Sequence, residues 1–473
     1  MPKVSSSEYL RASRPLMEKL LEKLQAQYAF CSVLASDCHA RRYNVSGRGI
    51  STAEDELLSG RGFVIRVRDE KGCAEYSLNR LSEDDLDGIV RRIEEELLPL
   101  GQGAEPMERE IPDEQPQELF ACTEYEIHPA ELGDAAILER LTKLREAGKA
   151  ADPRILDCVA TAEYQEIHKV YLSAAKDLEQ NLLWTTGTVV ALAGRGQEIK
   201  ESYQGYSMQG GAELFAEMEK DISRLTATAL ELLDSEPIVP GEYDCICDPA
   251  VTGMIVHEAF GHGVEMDMFV KDRALAKSFI GQYVASPLVT MHDGAACAAE
   301  TGSYFFDDEG TPAHDTVVIE KGVLKRGISD LLSAGSLGTE PTGNGRRESF
   351  ERKAYTRMTN TYFEGGTDRV EDMIASVRYG FLLQEPSSGM EDPKNWGIQC
   401  MVTIAREIRD GKLTGKIFSP IVLTGYVPDL LKSITMMSET VQLEGGGYCG
   451  KGHKEYIKVS DGGPYIRARI RLG

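Results

Sequence analysis

Residues 254–267 read MIVHEAFGHGVEMD, and most of what the sequence predicts starts from this stretch. In it, His257, Glu258 and His262 form the pattern H-E-x-x-x-H, which is one residue longer than the zinc-binding pattern HExxH. On a regular α-helix, residues five apart are rotated by about 140°, so the two imidazoles could not face one metal ion. Gly261 and Gly263 flank His262 and permit a departure from regular geometry. The spacing therefore predicts a widened turn, of the π type, between the two histidines.

The three side chains suit a catalytic zinc site. Two neutral imidazoles bind zinc well, and a catalytic zinc ion takes a third protein ligand while one position stays open to water. Glu258 would accept a proton from that water and later protonate the leaving amine. The alternative is that His257 and His262 are ordinary buried histidines and that Glu258 is exposed. The pattern alone leaves both interpretations open.

The sequence offers several candidates for a third zinc ligand. Glu265 and Asp267 are near in the chain, whereas Cys449 is remote, in the glycine-dense segment LEGGGYCGKGHKEY at residues 443–456. A thiolate is a strong zinc donor, and glycines let a backbone approach a metal closely. Cys449 could equally be a small buried residue in a tight turn. If the zinc were structural, His453 or Glu265 would serve as a fourth ligand.

A change in composition divides the chain. The segment SEPIVPG at residues 235–241 predicts a boundary between an N-terminal domain, residues 1–236, and a C-terminal domain, residues 237–473. Beyond it, glycines become dense and β-like runs dominate. The sequence therefore predicts an α+β fold of two domains, with a β-rich C-terminal domain that carries the two histidines. Its last residues, YIRARIRLG, alternate in polarity and predict a strand at a sheet edge.

The N-terminal domain contains a helix–strands–helix order twice. The first round is predicted to open with a helix over about residues 7–27, and the second to close with a helix over about residues 212–234. This order predicts a mixed α/β domain that arose by internal duplication. Residues 101–130, between the two rounds, are rich in proline and acidic residues and are predicted to form an extended surface connection.

Composition and charge exclude several classes of protein. Of 473 residues, 42% are hydrophobic and 27% are charged, as in ordinary globular proteins. The net charge of −24 repels phosphate, so we expect no nucleic-acid partner and no membrane partner. Neither a membrane span nor a signal peptide is apparent. The ten scattered cysteines include no CxxC pair, which favours free thiols and a cytoplasmic location. The sequence lacks the GxxxxGK[ST] motif of nucleotide-binding loops and the GxSxG motif that carries a serine nucleophile.

Five motifs follow one another in the C-terminal half. They are HEAFGHGVEMD at residues 257–267, DDEGTP at 307–312, TGNGRRESF at 342–350, RMTNTYFEGG at 357–366 and GGGYCGKG at 445–452. In content and order they resemble the TldD/PmbA family of metallopeptidases. The resemblance extends from about residue 250 to about residue 460 and is far more specific than the HExxxH pattern alone.

The resemblance implies a role for each candidate residue. His257 and His262 match the two histidine ligands of the family, Cys449 matches its cysteine ligand, and Glu258 matches its catalytic glutamate. A chain that retains all four resembles the TldD-type subunits, because the PmbA/TldE-type subunits lack the metal motif. The family resemblance also implies a homodimer, or a heterodimer with a TldE/PmbA-like subunit. It implies an enclosed chamber that cuts unfolded peptides, including modified-peptide precursors and antitoxins.

Two functional hypotheses follow. The first is a zinc-dependent peptidase that hydrolyses unfolded or extended peptides, with Glu258 as general base. The second is a non-catalytic regulatory or binding subunit of the same family. A pure binder has no use for Glu258 beside three metal ligands, which favours the first. Asp308, Arg357 and Asn360 lie in family-like motifs and could contact substrate or act as structural hydrogen-bonders in turns.

Overall fold

The helices and strands are those of a computed structural model, which describes residues 1–56, 58–69, 72–97, 114–451 and 454–473. The α-helices are α1 Glu8–Gln25, α2 Leu86–Arg92, α3 Pro129–Leu132, α4 Asp134–Ala150, α5 Phe215–Leu232, α6 Pro249–Val256, α7 Met266–Val270, α8 Leu331–Leu337, α9 Val370–Ala375 and α10 Val427–Lys432. The 3-10 turns are Glu83–Asp85, Ala212–Leu214, His262–Val264 and Leu275–Phe279, and the π turns are Ile93–Leu97 and His257–Gly261.

The described strands fall into two groups along the chain. The first group is β1 Phe30–Ser46, β2 Gly49–Glu54, β3 Gly60–Asp69, β4 Gly72–Leu78, β5 Gln117–Cys122, β6 Ile155–Ser173, β7 Lys176–Arg195 and β8 Glu198–Met208. The second group is β9 Gly241–Cys247, β10 Met291–Asp293, β11 Thr316–Glu320, β12 Val323–Leu324, β13 Gly345–Arg346, β14 Tyr355–Thr356, β15 Asn360–Phe363, β16 Tyr379–Asp392, β17 Gly397–Arg409, β18 Lys412–Phe418, β19 Ile421–Tyr426, β20 Met436–Met437, β21 Gln442–Glu444, β22 Tyr448–Lys451, β23 Lys454–Lys458, β24 Ser460–Gly463 and β25 Ile466–Leu472.

One sheet contains all eight strands of the first group. Its order is β4-β3-β1-β6-β7-β5, and β2 pairs with β1 while β8 pairs with β7. The helix–strands–helix order occurs twice, as α1, β1–β4 and α2, and then as α4, β6–β8 and α5. The two rounds meet at the long antiparallel pair β1–β6, which joins them into a continuous sheet.

The two faces of this sheet have different coverings because side chains alternate along each strand. Val33 and Ala35 of β1 pack in a core with α1, whereas Leu34 between them packs on the opposite face against Phe306 of the C-terminal half. Helices α4 and α5 cover β6 and β7. The sheet therefore bears helices on one face and the C-terminal half on the other.

Buried ion pairs join the two halves of the chain. Arg66 of β3 donates from Nη2 to Oε1 of Glu309 over 2.6 Å. Lys169 of β6 pairs with Asp308, which also accepts from the Arg347 backbone N–H over 2.8 Å. Charges buried at such a contact are stable only when they are paired, so these pairs fix how the halves meet.

The predicted extended connection at residues 101–130 is wrong for part of its length. Residues 98–113 lie outside the described residues, but β5 follows and pairs in parallel with β7. Proline and acidic residues indicate an extended surface connection, and the segment is extended and partly exposed here, but it pairs as an edge strand, a position that tolerates polar residues on its outer face.

The C-terminal half is β-rich, as the sequence predicts. Strands β16, β9, β25, β19 and β17 pair in that order, and β17 pairs again with β16, so the sheet closes into a ring. A second sheet has the order β12-β11-β10-β15-β24-β21. Helix α6 packs against β16 and β24 and so lies between the two sheets.

The prediction that the last residues form an edge strand is wrong. Strand β25 pairs with β9 on one side and with β19 on the other. Its alternate residues Ile466, Ala468 and Ile470 are buried, as the pattern indicates. Alternation identifies the two faces of a strand but carries no information on whether its edges are paired, which depends here on closure of the ring.

The boundary between residues 236 and 237 stays a proposal. It is supported by the two groups of strands, because every sheet contains strands from only one of them among the described residues. Within the same residues, no helix combines the length and the apolar character that crossing a membrane requires.

Candidate metal centre

Helix α6 delivers the histidine segment to the interior. Asp248 caps its N-terminus by accepting a hydrogen bond from the Val251 backbone N–H over 2.9 Å, and Pro249 occupies the first turn. The residues that follow, up to Val256, are almost entirely buried and, apart from Thr252, apolar. The helix is thus held from all sides by the core, and its C-terminal end projects His257 into the site.

The predicted π turn is confirmed. Residues His257–Gly261 form a π turn in which the His262 N–H bonds to the His257 carbonyl, five residues back. A Cβ added to Gly261 would lie 2.1 Å from Sδ of Met358, so close packing excludes a side chain there. The turn brings the two imidazoles together, with ring centroids 5.1 Å apart and ring planes at 88°.

Cys449 completes a group of three converging donors. It lies on β22, and its Sγ is 3.5 Å from Nε2 of His262. The donor atoms of His257, His262 and Cys449 all lie within 4.8 Å of one another. Nδ1 of His257 is buried and has no hydrogen-bond partner among the described residues. Two imidazoles and a thiolate form a donor set that suits zinc, so these residues fit the ion that the sequence predicts.

The electrostatics of the group favour a thiolate at Cys449. Burial alone would raise the pKa of Cys449, but His262 and His257 beside the thiol hold that pKa well below its usual range. Burial instead dominates at Cys245, Cys247 and Cys400, where it raises the thiol pKa. Cys449 is therefore distinguished from these other buried cysteines by its thiolate character, which metal ligation requires.

Glu265 and Asp267 lie behind the donors rather than among them. Oε2 of Glu265 is 3.4 Å from Nδ1 of His262 and 3.2 Å from Nζ of Lys451. Asp267 accepts from the same Lys451 ammonium over 2.7 Å. Burial opposes the charge on Glu265, yet Lys451, His262 and Arg357 together hold its pKa far below the usual range. Glu265 is thus an anion that orients His262, and His453 lies outside the described residues.

The three residues that the sequence left open are buried and have internal partners. Arg357 donates from Nη2 to the Cys449 carbonyl over 2.8 Å. Asn360 donates to the Gly294 carbonyl over 2.9 Å, and Asp308 pairs with Lys169. These contacts favour the structural interpretation of all three. Sequence reasoning did not assign Glu265 and Arg357 to the support of the metal donors, because neither role has a spacing signal.

Glu258 faces a cavity of about 370 Å³ next to the donors. The cavity is also lined by His257, Asp461, Glu444 and Gly389, and a Cβ on Gly389 would lie only 2.3 Å from Cγ of Glu258. Nδ1 of His257 is 3.7 Å from Oδ2 of Asp461. Burial raises the pKa of Asp461 to about 6 and that of Glu444 to about 7.

Strand β8 contributes Tyr203 and Gly205 to the wall of this cavity. Among the described residues, β8 pairs only with β7, so its other edge has no strand partner. The cavity therefore combines the half-buried Glu258, His257 of the metal donors and a strand edge without a strand partner, where the Tyr203 N–H donates to Glu385 over 3.4 Å.

Comparison with known proteins places these features in context. Residues 240–471 match the model of the PmbA/TldA metallopeptidase C-terminal domain. A metalloprotease of Methanothermobacter thermautotrophicus is 29% identical over 343 residues, which is 71% of this chain and 74% of that protein. A metalloprotease TldD homolog of Buchnera aphidicola (subspecies Schizaphis graminum) is 31% identical over 69% of this chain and 70% of its own length. A zinc metalloprotease TldD homolog of Saccharolobus solfataricus is 26% identical over 66% and 70%.

Solved structures share the fold over nearly the whole chain. TldE from Thermococcus kodakarensis superposes with a TM-score of 0.74 at 18% identity, covering 96% of this chain and 99% of that one. A Thermotoga maritima protein described as a candidate modulator of a DNA gyrase superposes with a TM-score of 0.80 at 16% identity, covering 97% and 100%. At such identities the likeness concerns the fold alone.

Proposed function

Since the chain belongs to the PmbA/TldD family of metallopeptidases, we propose that it is a zinc-dependent peptidase that hydrolyses unfolded or extended peptides, with Glu258 as general base. The observation that carries the proposal is the convergence of the His257, His262 and Cys449 donor atoms within 4.8 Å, beside a cavity that Glu258 faces. That combination fits metal-assisted hydrolysis better than any other reaction class.

His257, His262 and Cys449 would hold the ion. The donor set and the name of the Saccharolobus solfataricus relative both support zinc as that ion. When bound, zinc acts as a Lewis acid and makes a water molecule at its open position more acidic. Glu265 keeps a proton on Nδ1 of His262, which leaves Nε2 free as the donor.

Glu258 carries the proton in this proposal. As a half-buried carboxylate it accepts a proton from the attacking water and then gives it to the amine of the departing fragment. Its position depends on the absence of a side chain at Gly389, against which its Cγ packs. The backbone of β16 thus supports the general base directly.

An extended peptide suits the cavity better than a folded one. The edge of β8 that has no strand partner can pair with a peptide backbone through main-chain hydrogen bonds, which tolerate many side chains, once the peptide replaces Glu385 as the acceptor for the Tyr203 N–H. Gly389, Gly446 and Gly447 line the same cavity and leave room for a backbone close to Glu258. Peptide bonds within a folded domain are already hydrogen-bonded and buried, so they would have to be exposed first.

The proposal also covers the oligomeric state of the protein and its location in the cell. We expect a homodimer or a heterodimer with a TldE/PmbA-like subunit, which the fold shared with TldE supports. We expect a cytoplasmic protein, because all ten cysteines are free thiols. The alternative function, a non-catalytic regulatory or binding subunit, gives no reason for a carboxylate beside three metal donors.

The proposal is tested by removing and restoring the metal. The protein is treated with a chelator, dialysed, reloaded with zinc and incubated with an unstructured peptide library that is analysed by mass spectrometry. We expect cleavage to disappear with the metal and to return with zinc. Zinc-loaded protein that leaves every peptide intact would favour the non-catalytic alternative.

A further inference from the structure

A second group of converging metal donors lies in the C-terminal half, and it shares no residue with the first. It consists of His292, Cys297 and Asp315, whose donor atoms also lie within 4.8 Å of one another. His292 belongs to β10, Cys297 to the loop after it, and Asp315 immediately precedes β11. Nδ1 of His292 is 2.6 Å from Oδ1 of Asp315, and Sγ of Cys297 is 3.1 Å from the same oxygen.

The His292 ring is held in the manner typical of a metal-ligating histidine. Its Nε2 lies 2.8 Å from Oε1 of Glu364, which can hold a proton on this nitrogen, whereas Nδ1 bonds to Asp315 and becomes a metal donor once it gives up its own proton. The ring also stacks on Tyr362, with centroids 5.3 Å apart and planes at 13°. Ligating histidines commonly give their second nitrogen to a carboxylate, which fixes both tautomer and orientation.

The group is open to solvent at its carboxylates. The His292 side chain is buried, whereas the Asp315 and Glu364 side chains are about half exposed, at 50% and 53%. An ion could therefore enter past the two carboxylates and meet the imidazole and the thiol beneath. Without a metal, Asp315 and Glu364 favour a protonated imidazole against the effect of burial and raise the pKa of His292. Burial and the hydrogen bond to Asp315 likewise raise the pKa of the Cys297 thiol, so a bound ion has to displace protons from both His292 and Cys297.

We propose that His292, Cys297 and Asp315 form a second zinc site, which Glu364 orients and in which water takes the fourth position. Imidazole, thiolate and carboxylate are each ordinary zinc ligands. Binding requires the Cys297 thiol to lose its proton to solvent, so affinity falls as the pH is lowered. The Zn²⁺ ion ties β10 to the start of β11 and fastens the loop between them.

That loop also contacts the first metal centre. Thr301 lies in it, and its hydroxyl donates to the Gly445 carbonyl over 2.8 Å, in the segment that leads to Cys449. The second zinc ion therefore stabilises a loop that supports the Cys449 segment without contacting the cavity. This site could not be predicted from the sequence, because its three ligands follow no known spacing and only the pairing of β10 with β11 brings Asp315 near His292.

The test uses cobalt, whose bonds to thiolate produce a charge-transfer absorption band. The full-length Cys449→Ala variant is stripped with a chelator and titrated with Co²⁺, since this background removes the thiolate of the first centre. We expect the band to appear in this variant and to disappear when Cys297→Ser is added. Cys122→Ser in the same background is the matched control, because Cys122 is a partly buried thiol that belongs to no group of three metal donors among the described residues, and it should keep the band.

A second measurement, of the melting temperature, tests the same site with substitutions at two different ligands. In the Cys449→Ala background, added zinc should raise the melting temperature, and the rise should be lost in both Cys297→Ser and Asp315→Asn. A Cys449→Ala protein that shows no thiolate–cobalt band would overturn the proposal. So would a band that survives Cys297→Ser, or a zinc-dependent melting temperature that neither substitution alters.

Discussion

At the scale of single residues, Glu265 links the imidazole of His262 to two cations behind it. Its carboxylate lies between the imidazole and two cations, Lys451 and Arg357, and is almost fully buried. Such a carboxylate fixes the tautomer and the direction of a ligating histidine. At this scale the spacing of residues indicates the two histidines and the family resemblance adds Cys449, whereas the residues that orient them depend on side chains brought together by the fold.

Replacing Glu265 with glutamine should weaken zinc binding by about 10- to 100-fold, because the amide no longer holds the His262 ring by charge. A competition titration against a chromophoric chelator measures the affinity. Asp267→Asn is the matched control, since it removes the other carboxylate that contacts Lys451 and leaves His262 untouched. Equal losses in the two variants would mean that Lys451, and not His262, transmits the effect.

Replacing Cys449 with alanine should lower the zinc content of the first centre, because two imidazoles alone hold zinc much less tightly than three ligands do. Zinc per chain is measured after dialysis at a fixed free zinc concentration. Cys400→Ala should not alter it, since burial raises the pKa of that thiol and no metal donor group includes it among the described residues. Unchanged zinc in Cys449→Ala would rule out ligation by this thiolate.

At the scale of elements, the two strands of the β16–β17 hairpin position Glu258, the proposed general base. The pairing of these strands shifts register between Pro386 and Ser388, and Gly389 follows directly under Glu258. The π turn could be predicted because five-residue spacing is incompatible with a regular helix and glycines flank it. The contact of Gly389 with Glu258 could not, because it depends on the register of a strand remote in sequence.

An alanine at Gly389 should reduce cleavage by about 100-fold while zinc binding persists, because its Cβ would displace Glu258 from its productive position. Steady-state cleavage and zinc content are compared in the same preparation. Gly397→Ala in the same hairpin is the control, since the nearest atom to its added Cβ is 4.0 Å away. The prediction fails if both alanine variants cleave as fast as the wild-type protein.

At the scale of the whole molecule, the cavity is built by both halves of the chain. Tyr203 and Gly205 come from the N-terminal sheet, whereas His257 and Glu258 come from the C-terminal half. The division into an α/β half and a β-rich half could be predicted from composition and periodicity. The closed ring of strands could not, because it depends on pairing between segments far apart in sequence, such as β9 with β25.

At the scale of the whole molecule, we also expect the protein to be a dimer that cleaves unfolded chains and spares folded ones. One protein is supplied in its folded form and in a permanently unfolded form at equal concentration, and light scattering gives the mass of the enzyme. The unfolded form should be cleaved and the folded one should persist, because exposing its peptide bonds costs most of a stability of ~5–15 kcal/mol. Equal cleavage of both forms by a monomer would contradict the proposed enclosed site.

The most direct test of the central claim compares wild-type protein with Glu258→Gln, with zinc content and peptide cleavage measured on the same samples. The glutamine side chain is nearly isosteric but cannot take a proton from water. We predict equal zinc content and a loss of cleavage of about 100- to 10,000-fold, the usual contribution of a general base. Cleavage at the wild-type rate by a fully zinc-loaded Glu258→Gln protein would contradict the assignment of Glu258 as the general base of a zinc peptidase.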